Sequence, residues 1–217
     1  MNIGEVNPLG RRKGRPVGQS DVLDAEEIKR VLASVSDRRT TKGSRDYAVL
    51  LVLANTPIRK GELVNLNVED LVSRGQKFIT YKALKKRSGR VAWMNLPISD
   101  ECYSGILAYF KKWNIDPSKD QQIPLFVTMG QRGGYQRRRI TPKAVDLIVA
   151  RSVQAAGILK RITCHSMRAS YLTLRAGLFD PQTLMGLSGH SSLSSILPYL
   201  RSTEAKRVEA ALSVTFS

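Results

Sequence analysis

TCHSMRASYLTLRAGLFDPQTLMGLSGHSSLSSILPYLRS, residues 163–202, holds both histidines of the chain, His165 and His190. Arg168 follows the first histidine by three residues, Gly189 precedes the second, and Tyr199 comes nine residues after it. Imidazole titrates near neutral pH and can act as acid, base or hydrogen-bond donor. Placing the whole supply in one stretch marks that stretch as the chemical centre. Its apolar spacing reads as short helices over 165–176, 181–187, 192–196 and 199–212. Pro198 disfavours helical geometry at Leu197, so Tyr199 is expected to begin a new segment after a break. Cys164 stands directly before His165, but adjacent helical residues point about 100° apart, which argues against a thiol–imidazole nucleophile pair.

Composition bounds what this centre acts on. The chain has 217 residues, 42% of them hydrophobic, enough for one domain with a buried core. Thirty-five Lys and Arg against eighteen Asp and Glu leave a formal charge of +17. Such a field favours polyanions, nucleic acid first among them. Two cysteines, Cys102 and Cys164, lie far apart in no metal-ligand spacing, which fits a reducing compartment rather than a disulfide framework. No apolar run approaches the roughly 20 residues of a membrane span, and no signal-peptide pattern follows Met1. The expectation is a cytoplasmic, nucleoid-associated protein whose partner is double-stranded DNA.

Residues 1–20 have little to bury and carry Arg11, Arg12, Lys13 and Arg15. They read as a flexible basic arm on DNA. Lys13-Gly14-Arg15-Pro16 resembles the Gly-Arg-Pro core of AT-hook peptides, with an ordinary basic linker as the plainer reading. The domain itself is expected over 21–217. Ser20 or Asp21 is expected to cap a helix reaching Val35, with Ile28, Val31, Leu32 and Val35 as its buried stripe. A polar connection over 38–45 leads to 46–55, apolar on nearly every face and therefore a central buried helix, which Pro57 ends. The period then changes: 77–81 and 90–96 alternate as strands of a hairpin whose cationic tip carries Lys82, Lys85, Lys86 and Arg87. Ser99 caps an amphipathic helix to about Trp113, and 114–140 read mostly as loop, with Arg137, Arg138 and Arg139 placed on the DNA backbone. Thr141 and Pro142 open a helix to about Ala156. The fold class expected is mainly α with a small antiparallel β-sheet (α+β).

Four motifs in order carry a resemblance. Ala54-Asn55-Thr56-Pro57-Ile58-Arg59-Lys60-Gly61-Glu62-Leu63 follows the pattern A-x-T-G-L-R-x-S-E-L, departing at Pro57 and Gly61. His165-x-x-Arg168, then Leu187-Ser188-Gly189-His190-Ser191-Ser192 against L-L-G-H-S-x, then Tyr199 complete the set. Together they resemble the tyrosine recombinases of the phage integrase family over about 22–212, with Ala169 where a second histidine is common. The resemblance implies that family's catalytic-domain fold. It also implies a site-specific recombinase that cuts and rejoins DNA through a 3′-phosphotyrosyl intermediate, without metal, ATP or other cofactor.

In that reading Arg59 and Arg168 clamp the phosphate, His190 adds a third donor, His165 takes the proton of the nucleophile Tyr199, and a hairpin lysine protonates the leaving 5′-oxygen. Guanidiniums suit the task because each is always charged and presents a planar fork of donors. Lys86 precedes the turn 87–90 much as the family lysine precedes its turn, with Lys85 and Lys82 as competitors. Relatives carry a helical module ahead of this domain; none is seen here, so the chain reads either as a domain cut from something longer or as a natural single-domain member. A tail helix at about 203–217 is expected to dock on a neighbouring protomer, as such tails often do in that family, or to fold back on its own subunit, and a host recombinase or accessory protein is a further expected partner. The same residues also admit a type IB topoisomerase-like nicking and relaxing enzyme, or a non-cutting DNA-binding accessory factor.

Overall fold

Helix α2, Thr41–Asn55, is the axis around which the other elements pack. Every residue from Ala48 to Leu53 is buried, which is what a helix apolar on all faces requires. A computed structural model describes residues 22–35, 37–84, 91–129 and 135–200. The basic arm with Arg11, Arg12, Lys13 and Arg15, the hairpin residues Lys85, Lys86 and Arg87, and the tail at 203–217 lie outside the described residues.

Helix α2 starts earlier than its apolar run. Thr40 caps it by accepting from the Gly43 backbone N–H at 3.0 Å, so most of the expected polar connection is its first turn. Burial is possible there because the charges pair: Arg45 donates twice to Asp46 Oδ1, at 2.7 and 3.0 Å, and once to the Val127 carbonyl. Lys42 reaches the other Asp46 oxygen at 2.7 Å. Polar letters in a sequence do not reveal which of them will satisfy one another inside.

Against α2 pack α1 (Ala25–Ala33), α4 (Asp100–Trp113), α5 (Pro142–Ala155) and α6 (Cys164–Arg175), while α3 (Lys60–Asn65) lies on α5 and α7 (Pro181–Ser188) on α6. Asp24, not Ser20 or Asp21, caps α1, in a reciprocal capping box with Glu27. Thr141 and Ser99 cap α5 and α4 as the sequence indicates. Helix α4 lies close on α2, and a Cβ at Gly105 would come within 2.2 Å of the Leu51 side chain. Leu51 is itself fully buried, so the approach depends on the glycine.

Three antiparallel strands, β1 (Leu71–Arg74), β2 (Gln76–Leu84) and β3 (Val91–Pro97), form one sheet in that order. The β2–β3 hairpin is the one expected; β1 adds a short third strand on the far side of β2. A second hairpin, β4 (Val127–Met129) with β5 (Tyr135–Arg139), stands inside the stretch expected to be mostly loop. Three consecutive arginines conceal the alternation that would have marked β5. Beyond α7 the expected helix at 192–196 is a short 3-10 turn, Leu193–Ser195. The next helical turn covers 197–200, opening before Tyr199. Pro198 sits in that first turn, where a missing N–H costs nothing. The fold is mainly α with small antiparallel sheets. Among the described residues no helix is long and apolar enough to cross a membrane.

Candidate active site

Three chain segments converge on Arg168. Thr163 caps α6, accepting from the Ser166 N–H at 3.2 Å, and starts the helix so that His165 and Arg168, three apart, share a side. Arg168 is 4% exposed. Its guanidinium donates to the Pro57 carbonyl, in the turn that ends α2, and to the Ser188 carbonyl at the end of α7, 2.8 Å away. Its Nη2 also lies 3.3 Å from His190 Nε2.

Helix α7 is stopped by Gly189, whose φ of +64° lies in the left-handed region where a side chain is disfavoured. A Cβ there would also meet Met94 at 3.6 Å and Arg59 Nη1 at 3.8 Å. The turn folds His190 back so that its Nδ1 lies 2.6 Å from Ser188 Oγ. An arginine can only donate, so His190 Nε2 accepts from Arg168 and the ring proton sits on Nδ1, facing Ser188. Ser188 Oγ in turn donates to the Leu184 carbonyl at 2.6 Å. One chain of hydrogen bonds therefore runs from Arg168 through the imidazole into α7.

Arg59 occupies the residue before α3, with an exposed guanidinium. Glu62 holds it at both ends, accepting from the Arg59 backbone N–H at 2.8 Å and from Nη1 at 3.0 Å. Tyr81, on the buried face of β2, donates to the second Glu62 oxygen at 3.1 Å. Arg59, Lys60, Asp146, His165, Arg168 and His190 line a common cleft of about 650 Å³. On its far wall Lys60 pairs with Asp146 at 2.6 Å, and the Cys164 thiol donates to the same carboxylate at 3.3 Å.

Electrostatics follow from this crowding of cations. Burial, then the Arg59 charge, brings the Arg168 pKa down to about 10, so it stays charged at neutral pH. Burial first, then Arg168, Arg59 and His165, lowers His190 to about 4. The same sequence of burial, Arg168 and Arg59 lowers His165. Both rings are therefore neutral at pH 7. Burial raises the Tyr199 phenol while the Arg168 charge opposes the rise, which places Tyr199 within the field of the cleft. Burial, with Asp146 adding to it, pushes the Cys164 thiol up to about 12, so it remains protonated.

Of the six expected catalytic residues, Arg59, His165, Arg168 and His190 thus meet in one cleft and Tyr199 stands in its field, while Lys86 lies outside the described residues. Lys82 is turned to the opposite face of β2 from Tyr81 and lies over Trp93. Arg137 pairs with Asp120 and Arg138 is exposed. Arg139 is turned into the fold, donating to the Val64 and Leu66 carbonyls and to Asn67 Oδ1 at 2.7 to 2.9 Å. Ser188, Tyr81 and Asp146 are site residues that the sequence reading passed over. Ser188 had a signal, standing where the family pattern has leucine; Tyr81 had only its inward strand position, and Asp146 had none.

The chain matches the family described as Phage integrase family over residues 21–206. A tyrosine recombinase of Synechococcus elongatus is 32% identical over 173 residues, covering 78% of this chain and 51% of that protein. The protein y4gC of Sinorhizobium fredii, named as an integrase/recombinase, is 32% identical over 190 residues, covering 83% of this chain and 88% of its own. XerC of Caldanaerobacter subterraneus is 28% identical over 191 residues, covering 87% and 49%. The chain spans about half the length of the Synechococcus and Caldanaerobacter proteins. Among solved structures, XerA recombinase superposes with a TM-score of 0.66 at 23% identity, covering 90% of this chain and 66% of that one. XerH in a post-cleavage complex with its difH substrate gives 0.68 at 21%, covering 91% and 54%. Those two share the fold. With motifs, fold and relatives agreeing across nearly all of its length, the chain belongs to the phage integrase family.

Proposed function

We propose that the chain is the strand-transferring domain of a site-specific recombinase, cutting and rejoining double-stranded DNA through a 3′-phosphotyrosyl link. The observation that carries this reading is Arg168: a buried guanidinium held by two carbonyls and an imidazole, beside Arg59, with its charge left for an anion in the cleft. A DNA phosphodiester fits that demand. The XerH neighbour and an integrase of the Tn1549 transposon were both solved with DNA, which supports a duplex partner.

Arg59 and Arg168 take the two non-bridging oxygens, where charge grows in the transition state. Tyr199 gives its proton to neutral His165 as its oxygen bonds to phosphorus. The bond from phosphorus to the 5′-oxygen breaks, and a hairpin lysine gives that oxygen a proton; Lys86 is preferred and Lys85 second. His190 is assigned as the third donor: burial and the arginine charges keep the ring neutral in the free protein, and beside the phosphate's negative charge it takes a proton from solvent on Nε2, which then turns from the Arg168 guanidinium to the phosphate. Rejoining reverses each transfer: the 5′-hydroxyl expels the tyrosine, and because the covalent link keeps the energy of the broken bond, neither ATP nor metal is required. Arg11, Arg12, Lys13, Arg15, Lys82, Lys85, Arg87, Arg137 and Arg138 are assigned to the DNA backbone. The tail at 203–217 is assigned to contact with a second protomer.

The test is covalent capture on nicked duplexes drawn from DNA flanking the coding region. A protein–DNA adduct that survives denaturation and is lost in Tyr199→Phe is expected. Failure of the wild type to form any adduct, or an undiminished adduct in Tyr199→Phe, overturns the proposal. A substrate with sulfur at the 5′-bridging position then identifies the acid, since a thiolate leaves without a proton: the variant rescued, Lys86→Ala or Lys85→Ala, names it.

A further inference from the structure

Tyr81 and Lys82 are neighbours on β2, and they serve opposite faces of the same hairpin. The inner face carries Ile79, Tyr81 and Ala83 into the fold, opposite Leu96 and Met94 of β3. Tyr81 there reaches Glu62 and so the arginine site. The outer face carries the pairs Lys82↔Trp93 and Thr80↔Asn95. Trp93 is 62% exposed, the largest apolar side chain among the exposed ones described, and the Lys82 ammonium lies 5.0 Å from its ring centre.

This rung stands two residues short of the last described pair, Leu84↔Val91. The sequence between those two residues is Lys85-Lys86-Arg87-Ser88-Gly89-Arg90. The outer face beside that basic stretch of sequence therefore offers an indole, an ammonium, an amide and a hydroxyl, with no carboxylate among them. We infer that Trp93, backed by Lys82, is a DNA-contacting residue, laying its ring on a sugar or base edge while the ammonium takes the adjoining phosphate. The inner face of the hairpin is packed on the domain, so a duplex that meets this hairpin meets its outer face, where Lys82 and Trp93 stand. An aromatic ring beside a cation is the pairing that nucleic-acid surfaces use for stacking without strict sequence preference. A second copy of this chain is the weaker occupant, because it would bring another +17 molecule against a basic stretch of sequence.

The inference rests on the proposed action on DNA, and one titration separates their failures. The chain has two tryptophans, and Trp113 is buried with its Nε1–H on the Thr41 carbonyl at 2.8 Å. Acrylamide quenching of the full-length protein therefore reports mainly on Trp93. Adding a random-sequence duplex should shield the indole, and Trp93→Ala should weaken duplex binding roughly 5- to 150-fold, with Trp93→Phe in between. Circular dichroism checks that the strand persists; should the alanine variant unfold, Trp93→Phe and Lys82→Gln carry the measurement. Duplex affinity unchanged by the substitutions overturns the inference while leaving the recombinase reading intact. So does a Trp93→Ala variant altered only in self-association by sedimentation. A wild type that binds no duplex even at low salt removes both.

Discussion

Arg45, in the first turns of α2, and Arg168, in α6, are almost equally withdrawn from water, at 8% and 4% exposure, yet the charges around them are opposite in kind. Arg45 shares a carboxylate, Asp46, which Lys42 supports from the other side. Its pairing is complete within the core. Arg168 touches two carbonyls and a ring nitrogen; the Arg59 charge repels it, and the Glu62 carboxylate, bonded to Arg59 and Tyr81, attracts it without bonding to it. A buried charge with no carboxylate bonded to it is unfavourable, and here burial and the Arg59 charge bring the pKa down to about 10. The difference teaches how to sort buried arginines: one neutralised by the fold supports the fold, whereas one held in place by neutral acceptors keeps its charge for a ligand.

Replacing each arginine with methionine pulls the two readouts apart. Arg168→Met should slow formation of the covalent DNA adduct by about a hundredfold or more, the effect of losing one donor aimed at developing charge. Its stability should change little, within about 1 kcal/mol, because two carbonyls lose a donor while a charge with no bonded carboxylate leaves the interior. Arg45→Met should do the reverse. It strands Asp46 with Lys42 alone and should lower stability by about 3 kcal/mol, with cleavage by the folded fraction unchanged. Adduct kinetics and denaturant melts on both variants give the answer. Equal destabilisation with equal loss of activity would erase the distinction.

Much of this was legible beforehand, and the gaps have physical causes. Ala48 to Leu53 announce a buried helix because every face is apolar, and Pro57 announces its end. Arg59, His165, Arg168 and His190 were readable through the resemblance to the tyrosine recombinases, whose motifs they match in order. Partnerships between polar residues far apart in sequence were not readable. Nothing in the letters joins Lys60 to Asp146 across 86 positions, or turns Arg139 away from Arg138 toward the Val64 carbonyl 75 residues upstream. Strand β5 escaped for a related reason: alternation signals a strand only when one face is apolar, and the run Arg137 to Arg139 has no apolar member.

The pH dependence of stability sharpens the comparison at the cation-rich end. His190 sits near 4 against an ordinary 6.5. As pH falls below about 6.5 the unfolded chain takes up this proton while the folded one resists until about 4. The contribution of His190 to stability is therefore undiminished above 6.5, is lost progressively between 6.5 and 4, and falls no further below. Melts between pH 7 and pH 4 should show a shallower decline for His190→Asn than for the wild type. They should also show a shallower one for Arg168→Met, because Arg168 is a cause of the shift after burial. A slope untouched by either substitution would mean that burial elsewhere, or the carboxylates, governs the acid limb.

Arg138 and Arg139 test the sorting rule where its two criteria conflict. Arg139 is held by neutral acceptors, as Arg168 is, but it is only half-buried, lines no part of the cleft, and lies near enough to Asp70 to draw that carboxyl's pKa down against the rise caused by burial. If partial exposure and a place outside the cleft mark a supporting arginine, Arg139 belongs with Arg45. Arg139→Ala should then lower stability by about 1 to 2 kcal/mol, through acceptors left unmet in the chain that follows α3, and leave the salt dependence of duplex binding as it was. Arg138, exposed on the adjacent position, should do the converse. Its replacement by alanine should shift stability by less than about 0.5 kcal/mol and reduce the slope of log affinity against log salt by about 1, the signature of one lost phosphate contact. A salt slope that falls for Arg139→Ala instead would show that its guanidinium leaves the Val64 and Leu66 carbonyls when DNA arrives. Neutral acceptors alone would then be the mark of an arginine kept for a ligand, and its exposure and place outside the cleft would be incidental.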